Sequence, residues 1–188
     1  MAEGLLRARL AEIAPSVQVG SAGLLFDDRP ADPDTVKAMA KRGIDLSGHR
    51  AQRISAELLA GAALILGMER RHVREVAVLD RDLWRRSFTL PEFVVLAREA
   101  GPRPGDESLR DWVERCGAGR TAADYARDDP ASEVDDPFGE SGRAHRRAAA
   151  RIADHIDELV AIAWPTPEPG GDPAPASPGG THADRHRR

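Results

Sequence analysis

The run Ala62-Ala63-Leu64-Ile65-Leu66 constrains the fold more than any other stretch of this chain. Every residue in it is apolar, so a strand built from it has no face to offer to water. A parallel strand covered by helices on both sides accommodates such a run. The surrounding pattern agrees. Ala2, Leu6, Leu10 and Ile13 recur at helical spacing and stop at Pro15, and a short strand is expected at Val17 to Val19. Asp32-Pro33 opens a helix carrying Val36, Met39 and Ala40 on one face, with Gly43 after its end where a left-handed backbone is easiest. Helices are predicted at about 69–78, 91–100 and 109–115, with a short strand near Ser87 to Thr89. From about Ser141 a last helix presents Ala149, Ile152, Ile156, Leu159 and Ala163 as one stripe. Alternation of this kind predicts an α/β fold, a doubly wound, Rossmann-like parallel sheet with flanking helices.

The 188 residues suffice for one globular domain with a real core and fall short of two. That domain is expected over residues 1–164. From Pro165 the chain turns rich in proline and glycine and cannot bury a core, so 165–188 is expected to be a disordered tail, with His182 and His186 as solvated residues. No apolar run approaches the roughly 20 residues a membrane span needs, and the start lacks a basic, then apolar, leader. The one cysteine, Cys116, fits a reducing compartment, and a cytoplasmic location with no membrane partner is expected. The 27 basic and 31 acidic residues are interleaved, so no basic stripe for nucleic acid stands out. His72, His145 and His155 show no metal-ligand spacing, and neither metal nor cofactor is expected.

Five short motifs stand in order: Met1-Ala2-Glu3-Gly4-Leu5-Leu6, Ser21-Ala22-Gly23, Gly43-Ile44-Asp45-Leu46-Ser47-Gly48-His49-Arg50-Ala51, Met68-Glu69-Arg70 and Asp135-Asp136-Pro137-Phe138-Gly139. Each is weak alone, but together they resemble the low-molecular-weight protein-tyrosine phosphatases, in particular actinobacterial members, from residue 1 to about Trp164. The resemblance implies hydrolysis of phosphotyrosine or small aryl phosphate monoesters through a cysteinyl-phosphate intermediate.

By that resemblance Asp136 is the general acid that protonates the departing aryl oxygen and later acts as base toward water. Pro137 fixes the backbone after it, and Phe138 lines the cleft against the substrate ring. Asp135 beside Asp136 is expected to favour its protonated form. Read without the family, Asp135-Asp136-Pro137 is a turn before the last helix. Ser21 resembles the serine that braces the catalytic loop; read alone, it is a polar residue in a turn. Ser47, His49 and Arg50 match a Ser-x-His-Arg-Ala-Arg stretch in which Gln52 replaces the second arginine, and His49 is expected to be structural.

The family's nucleophile lies in a strand-to-loop segment, Cys-x-Gly-Asn-x-Cys-Arg-Ser-Pro, directly ahead of the helix that begins here at Met1. No such segment occurs in the 188 residues. Cys116-Gly117-Ala118-Gly119-Arg120 has three residues between cysteine and arginine where the family needs five, and it follows a helical pattern, so Cys116 is expected to be an ordinary helix-end residue. The chain is therefore expected to lack the first strand and to be inactive as it stands. A strand with about four buried aliphatic side chains contributes roughly 6 to 12 kcal/mol, so marginal stability is expected too. The readings left open are a start upstream of Met1, a noncatalytic binding or regulatory protein, and an arsenate-reductase-like relative, which would need more cysteines.

Overall fold

Local capping decides where the helices that carry the site begin. The computed structural model describes residues 1–121, 123–124 and 129–166. Helix α1 spans Ala2–Ile13. The Asp32 carboxylate accepts hydrogen bonds from the backbone of Asp34 and Thr35, and with Pro33 in the first turn it starts α2, Pro33–Ala40. A turn follows, and Gly43 takes the left-handed backbone at φ 75°. Ser55 caps the short α3, Ala56–Ala60. Glu69 and His72 form a capping box at the start of α4, Arg70–Leu79, and Thr89 and Glu92 form another at α5, Leu90–Ala100. Ser108 caps α6, Leu109–Cys116, and the long α7 covers Gly142–Ala163.

The sheet is smaller than the sequence implies. Strand β1 is Ile65–Gly67 and pairs in parallel with β2, Ser87–Thr89, setting Leu66 beside Phe88. Helix α4 and a 3-10 turn over Arg81–Arg86 make the crossover that a parallel pair requires. Strand β2 is fully buried, whereas every residue of β1 is only half-buried. This corrects the expectation of a strand sealed on both faces over 62–66. The reason is that β1 has one strand neighbour among the described residues. The strand expected at Val17 to Val19 does not join a ladder. Both valines pack half-buried against the core, but the Val17 N–H bonds Ala14 O at 3.0 Å, and Val19 O accepts from Arg7 at 2.7 Å. Helix capping and a side chain thus take the groups that a strand neighbour would use.

The core lies between this sheet and the helices. Phe88, Phe93 and Trp112 form its aromatic centre, with ring centroids 4.7 and 5.6 Å apart. The five residues predicted as the stripe of the last helix are all buried, and α7 packs on α1, α2 and α5. No helix among the described residues is long and apolar enough to cross a membrane. Of the tail expected over 165–188, residues 167–188 lie outside the described residues, His182 and His186 among them.

Candidate active site

The Asp136 loop is built from its flanks inward. On one side, Val134 N–H donates to Met68 O at 2.8 Å, and the Glu133 carboxylate accepts the Arg70 N–H at 2.8 Å, so the loop hangs from the junction between β1 and α4. On the other side, Glu140 N–H donates to Pro137 O at 2.9 Å, and Gly139 takes a left-handed φ of 79° that lets the chain turn into α7. Between these anchors the Asp136 Oδ1 accepts the Phe138 N–H at 3.0 Å, an Asx turn that orients the carboxylate. Its other oxygen, Oδ2, lies 3.7 Å from an Arg71 guanidinium nitrogen, and Arg71 also pairs with Glu69 at 2.9 Å. Asp136 therefore faces a cation from α4 as well as its neighbour Asp135. The Asp136 side chain is 52% exposed, open to a substrate.

A second loop meets the first. Residues 23–30 are pinned to 50–54 by backbone hydrogen bonds between Gly23 and Gln52 (2.9 Å), Ile54 and Gly23 (3.0 Å), Asp28 and Ala51 (2.7 Å) and Ala51 and Arg29 (2.8 Å). From this pinned loop Phe26 reaches the Phe138 ring, with centroids 6.5 Å apart, and Arg29 lies over both rings. The resulting aromatic wall is exposed. Neither ring lines the open recess of about 360 Å³ on the α7 side of the loop, which is walled by Val134, Pro137 and the arginines of α7. An aryl group stacking on the rings would use the outer face instead.

Ser21 lies at the start of α1. Its hydroxyl donates to the Glu3 carboxylate, which also pairs with Arg7 at 2.5 Å and stands 3.7 Å from His49 Nδ1. Gln52 donates to Ser21 O at 2.8 Å, so the residue that departs from the family pattern ties the two segments together. Sequence reasoning missed Glu3, Phe26, Arg29 and Arg71 as neighbours of the site. Glu3 lies inside the first of the five motifs, but the other three carry no periodic or motif signal.

Cys116 is not part of this constellation. It ends α6 at 6% exposure, and burial pushes its thiol up to about 11, leaving almost no thiolate at neutral pH. The arginine that would complete a cradle, Arg120, is folded inward, with its guanidinium 4.1 Å from the Phe88 ring centroid and 3.2 Å from Glu92. Burial also holds the His72 imidazole below its ordinary range, against the nearby Glu69 carboxylate. No group of three or more metal-ligating side chains occurs among the described residues.

The model of the family described as low molecular weight phosphotyrosine protein phosphatase matches residues 1–101. The chain belongs to this phosphatase family. A probable low molecular weight protein-tyrosine-phosphatase, EpsP, of Ralstonia nicotianae is 44% identical over 77 residues, covering 40% of this chain and 50% of that protein. The low molecular weight protein-tyrosine-phosphatase Wzb of Escherichia coli is 38% identical over 117 residues, 55% of this chain and 80% of that protein. The chain thus spans about half the length of the first of these relatives. A crystal structure of the low molecular weight protein tyrosine phosphatase from T. tengcongensis superposes with a TM-score of 0.61 at 26% identity, over 85% of this chain and 86% of the other. The YwlE arginine phosphatase from Geobacillus stearothermophilus shares the fold at a TM-score of 0.59 and 21% identity. The phosphatase fold is therefore an α/β architecture that does not by itself select the phosphorylated group.

Proposed function

We propose that this chain carries the leaving-group half of a phosphomonoesterase site for phosphotyrosine or small aryl phosphates. The turn at Asp136 is the observation that supports the reading most directly. A carboxylate oriented by the Phe138 N–H stands two residues from an exposed aromatic side chain. In the reaction, a thiolate attacks phosphorus in line with the aryl oxygen. Asp136 delivers its proton to that oxygen as the P–O bond breaks, and then takes a proton from the water that hydrolyses the phosphoenzyme. Phe138 walls the aryl group, Pro137 fixes the backbone between it and Asp136, and Ser21 braces the phosphate loop through the polar cluster with Glu3 and His49.

The nucleophile must be a low-pKa cysteine with an arginine that clamps the equatorial oxygens. Cys116 cannot serve, because it is buried and protonated. Cys116 is the single cysteine of the 188 residues, so on this reading hydrolysis requires a form in which a strand and Cys-x5-Arg loop run into α1. Among the described residues β1 pairs with β2 alone, and Val17 and Val19 reach the core outside a ladder, which supports a further strand between them.

Turnover of p-nitrophenyl phosphate and phenyl phosphate by the chain, beside a form extended through the upstream reading frame, tests this. Only the longer form is expected to turn over, and Asp136→Asn is expected to slow phenyl phosphate about 10²-fold or more, with a smaller effect on the better leaving group. Equal rates for the variant and its parent on phenyl phosphate would remove Asp136 from the mechanism. A folded chain with no activity in either form would instead favour a binding or regulatory role.

A further inference from the structure

We infer that Arg29 is a specificity determinant that selects phosphotyrosyl peptides with an acidic residue next to the phosphotyrosine, an inference that rests on the function proposed above. Three side chains from two loops converge here. The Arg29 guanidinium carbon lies 4.4 Å from the centroid of Phe26 and 5.3 Å from that of Phe138. Stacking on ring faces orders a guanidinium without consuming its N–H donors, which point outward in the plane of the fork. Among the described residues Arg29 makes no ion pair with a carboxylate. The two acids beside it are directed elsewhere: Asp27 accepts the Arg53 N–H at 2.6 Å, and Asp28 stands 4.0 Å from Arg50. The cation is thus held in place while its hydrogen-bonding edge stays free.

The backbone presets this placement. Asp28 holds a left-handed φ of 53°, unusual for a residue other than glycine, and hydrogen bonds from Asp28 N–H to Ala51 O and from Ala51 N–H to Arg29 O lock the turn on either side. Arg29 therefore loses little conformational freedom when a ligand arrives. Among the described residues the Asp136 carboxylate faces Arg71 and not Arg29, which lies over the rings, so Arg29 fits a role on the residue flanking the phosphotyrosine rather than on the reacting phosphate. A carboxylate there meets the fork in the bidentate geometry that arginine favours.

The test uses the chain as it is, by NMR titration with phosphotyrosyl peptides in which the flanking residues are Asp-Glu, Ala-Ala or Lys-Lys. The Asp-Glu peptide is expected to bind about three- to fivefold tighter than the Ala-Ala peptide and to shift both the Arg29 Nε–H and the Phe138 signals. Arg29→Ala is expected to abolish that ratio, and Arg29→Glu to reverse the preference toward the Lys-Lys peptide, a reversal that loss of packing cannot produce. Equal binding of the acidic and neutral peptides at Phe138, or a ratio unchanged in both variants, overturns the inference while leaving the proposed aryl site intact. No shift at Phe138 with any peptide, in the chain or in the form extended through the Cys-x5-Arg loop, overturns the inference and the aryl site together.

Discussion

Replacing Glu92 by glutamine removes one charge and almost no volume, yet it should be among the most destabilising single changes in this chain. Two arginines converge on that carboxylate. Arg70 approaches Oε1 at 3.5 Å and Arg120 at 3.2 Å, and the three side chains are 8, 5 and 12% exposed for Arg70, Arg120 and Glu92. Burial, with the Arg70 charge adding to it, pushes the Arg120 guanidinium below its ordinary range, and Glu92 opposes both. Neither guanidinium is fully satisfied: among the described residues Arg70 Nε and Arg120 Nη2 have no hydrogen-bond partner. Glutamine would leave two buried cations with weaker help: Asp124 O and Ser132 Oγ for Arg70 at 3.1 and 3.2 Å, and the Phe88 ring, Trp84 O and the Asp124 carboxylate for Arg120. Removing one partner of a buried pair costs about 3 to 5 kcal/mol. The Thr89–Glu92 capping box weakens as well, since Glu92 Oε2 accepts the Thr89 N–H at 3.2 Å. With a urea slope of about 2 kcal/mol/M, the midpoint should fall by about 1.5 to 2.5 M. Urea unfolding followed by tryptophan fluorescence reads this directly. Adding Arg120→Met to Glu92→Gln should recover part of the loss by removing the surplus cation. A midpoint for Glu92→Gln within about 0.3 M of the parent at equal slope would refute the claim that this carboxylate holds the pair. The consequence reaches the site, because Arg70 anchors Ser132 and Glu133 just ahead of Asp136.

Cys116 should resist thiol reagents at pH 7 to 8 in the folded chain and react at once in urea. Because the folded thiol keeps its proton to about pH 11 while the unfolded one loses it near its ordinary value, stability should also fall as pH rises between them, and Cys116→Ala should flatten that fall. His72 Nδ1 accepts the Glu69 N–H at 3.2 Å and its pKa lies below the ordinary value, so the unfolded state gains a proton first as pH drops. Its contribution is fully present above about pH 6.5 and is lost below it, and urea midpoints at pH 5 and 7 should differ less in His72→Asn than in the parent. Gly139→Ala places a Cβ on a left-handed residue at φ 79° and should cost about 1 kcal/mol by thermal or urea unfolding, with open space around it leaving no clash to add.

Helices were the most legible part of this chain, because their signals are local. Asp32-Pro33 starts α2 as the sequence indicates, and α5 and α6 fall within one residue of their expected ends. The apolar stripe from Ala149 to Ala163 is buried residue for residue. Strands were less legible. The apolar run at 62–66 reports that side chains avoid water, but a ladder also requires a neighbour in register, and only Ile65–Gly67 finds one.

The motifs also named Asp136, Pro137, Phe138 and Ser21, for which the structure gives an Asx turn at Asp136, a carbonyl accepting the Glu140 N–H at Pro137, an exposed ring at Phe138, and a hydrogen bond to Glu3 at Ser21. What surrounds them was beyond the sequence. Arg71 reaches Asp136 from α4, Phe26 and Arg29 reach Phe138 from a loop more than a hundred residues earlier, and Glu92 meets Arg70 and Arg120 from either side of it. Helix spacing and caps act over a few residues and are written in the order of the chain. Ion pairs and ring contacts depend on distance in space, and chain folding alone decides which distant residues come within 4 to 6 Å of one another.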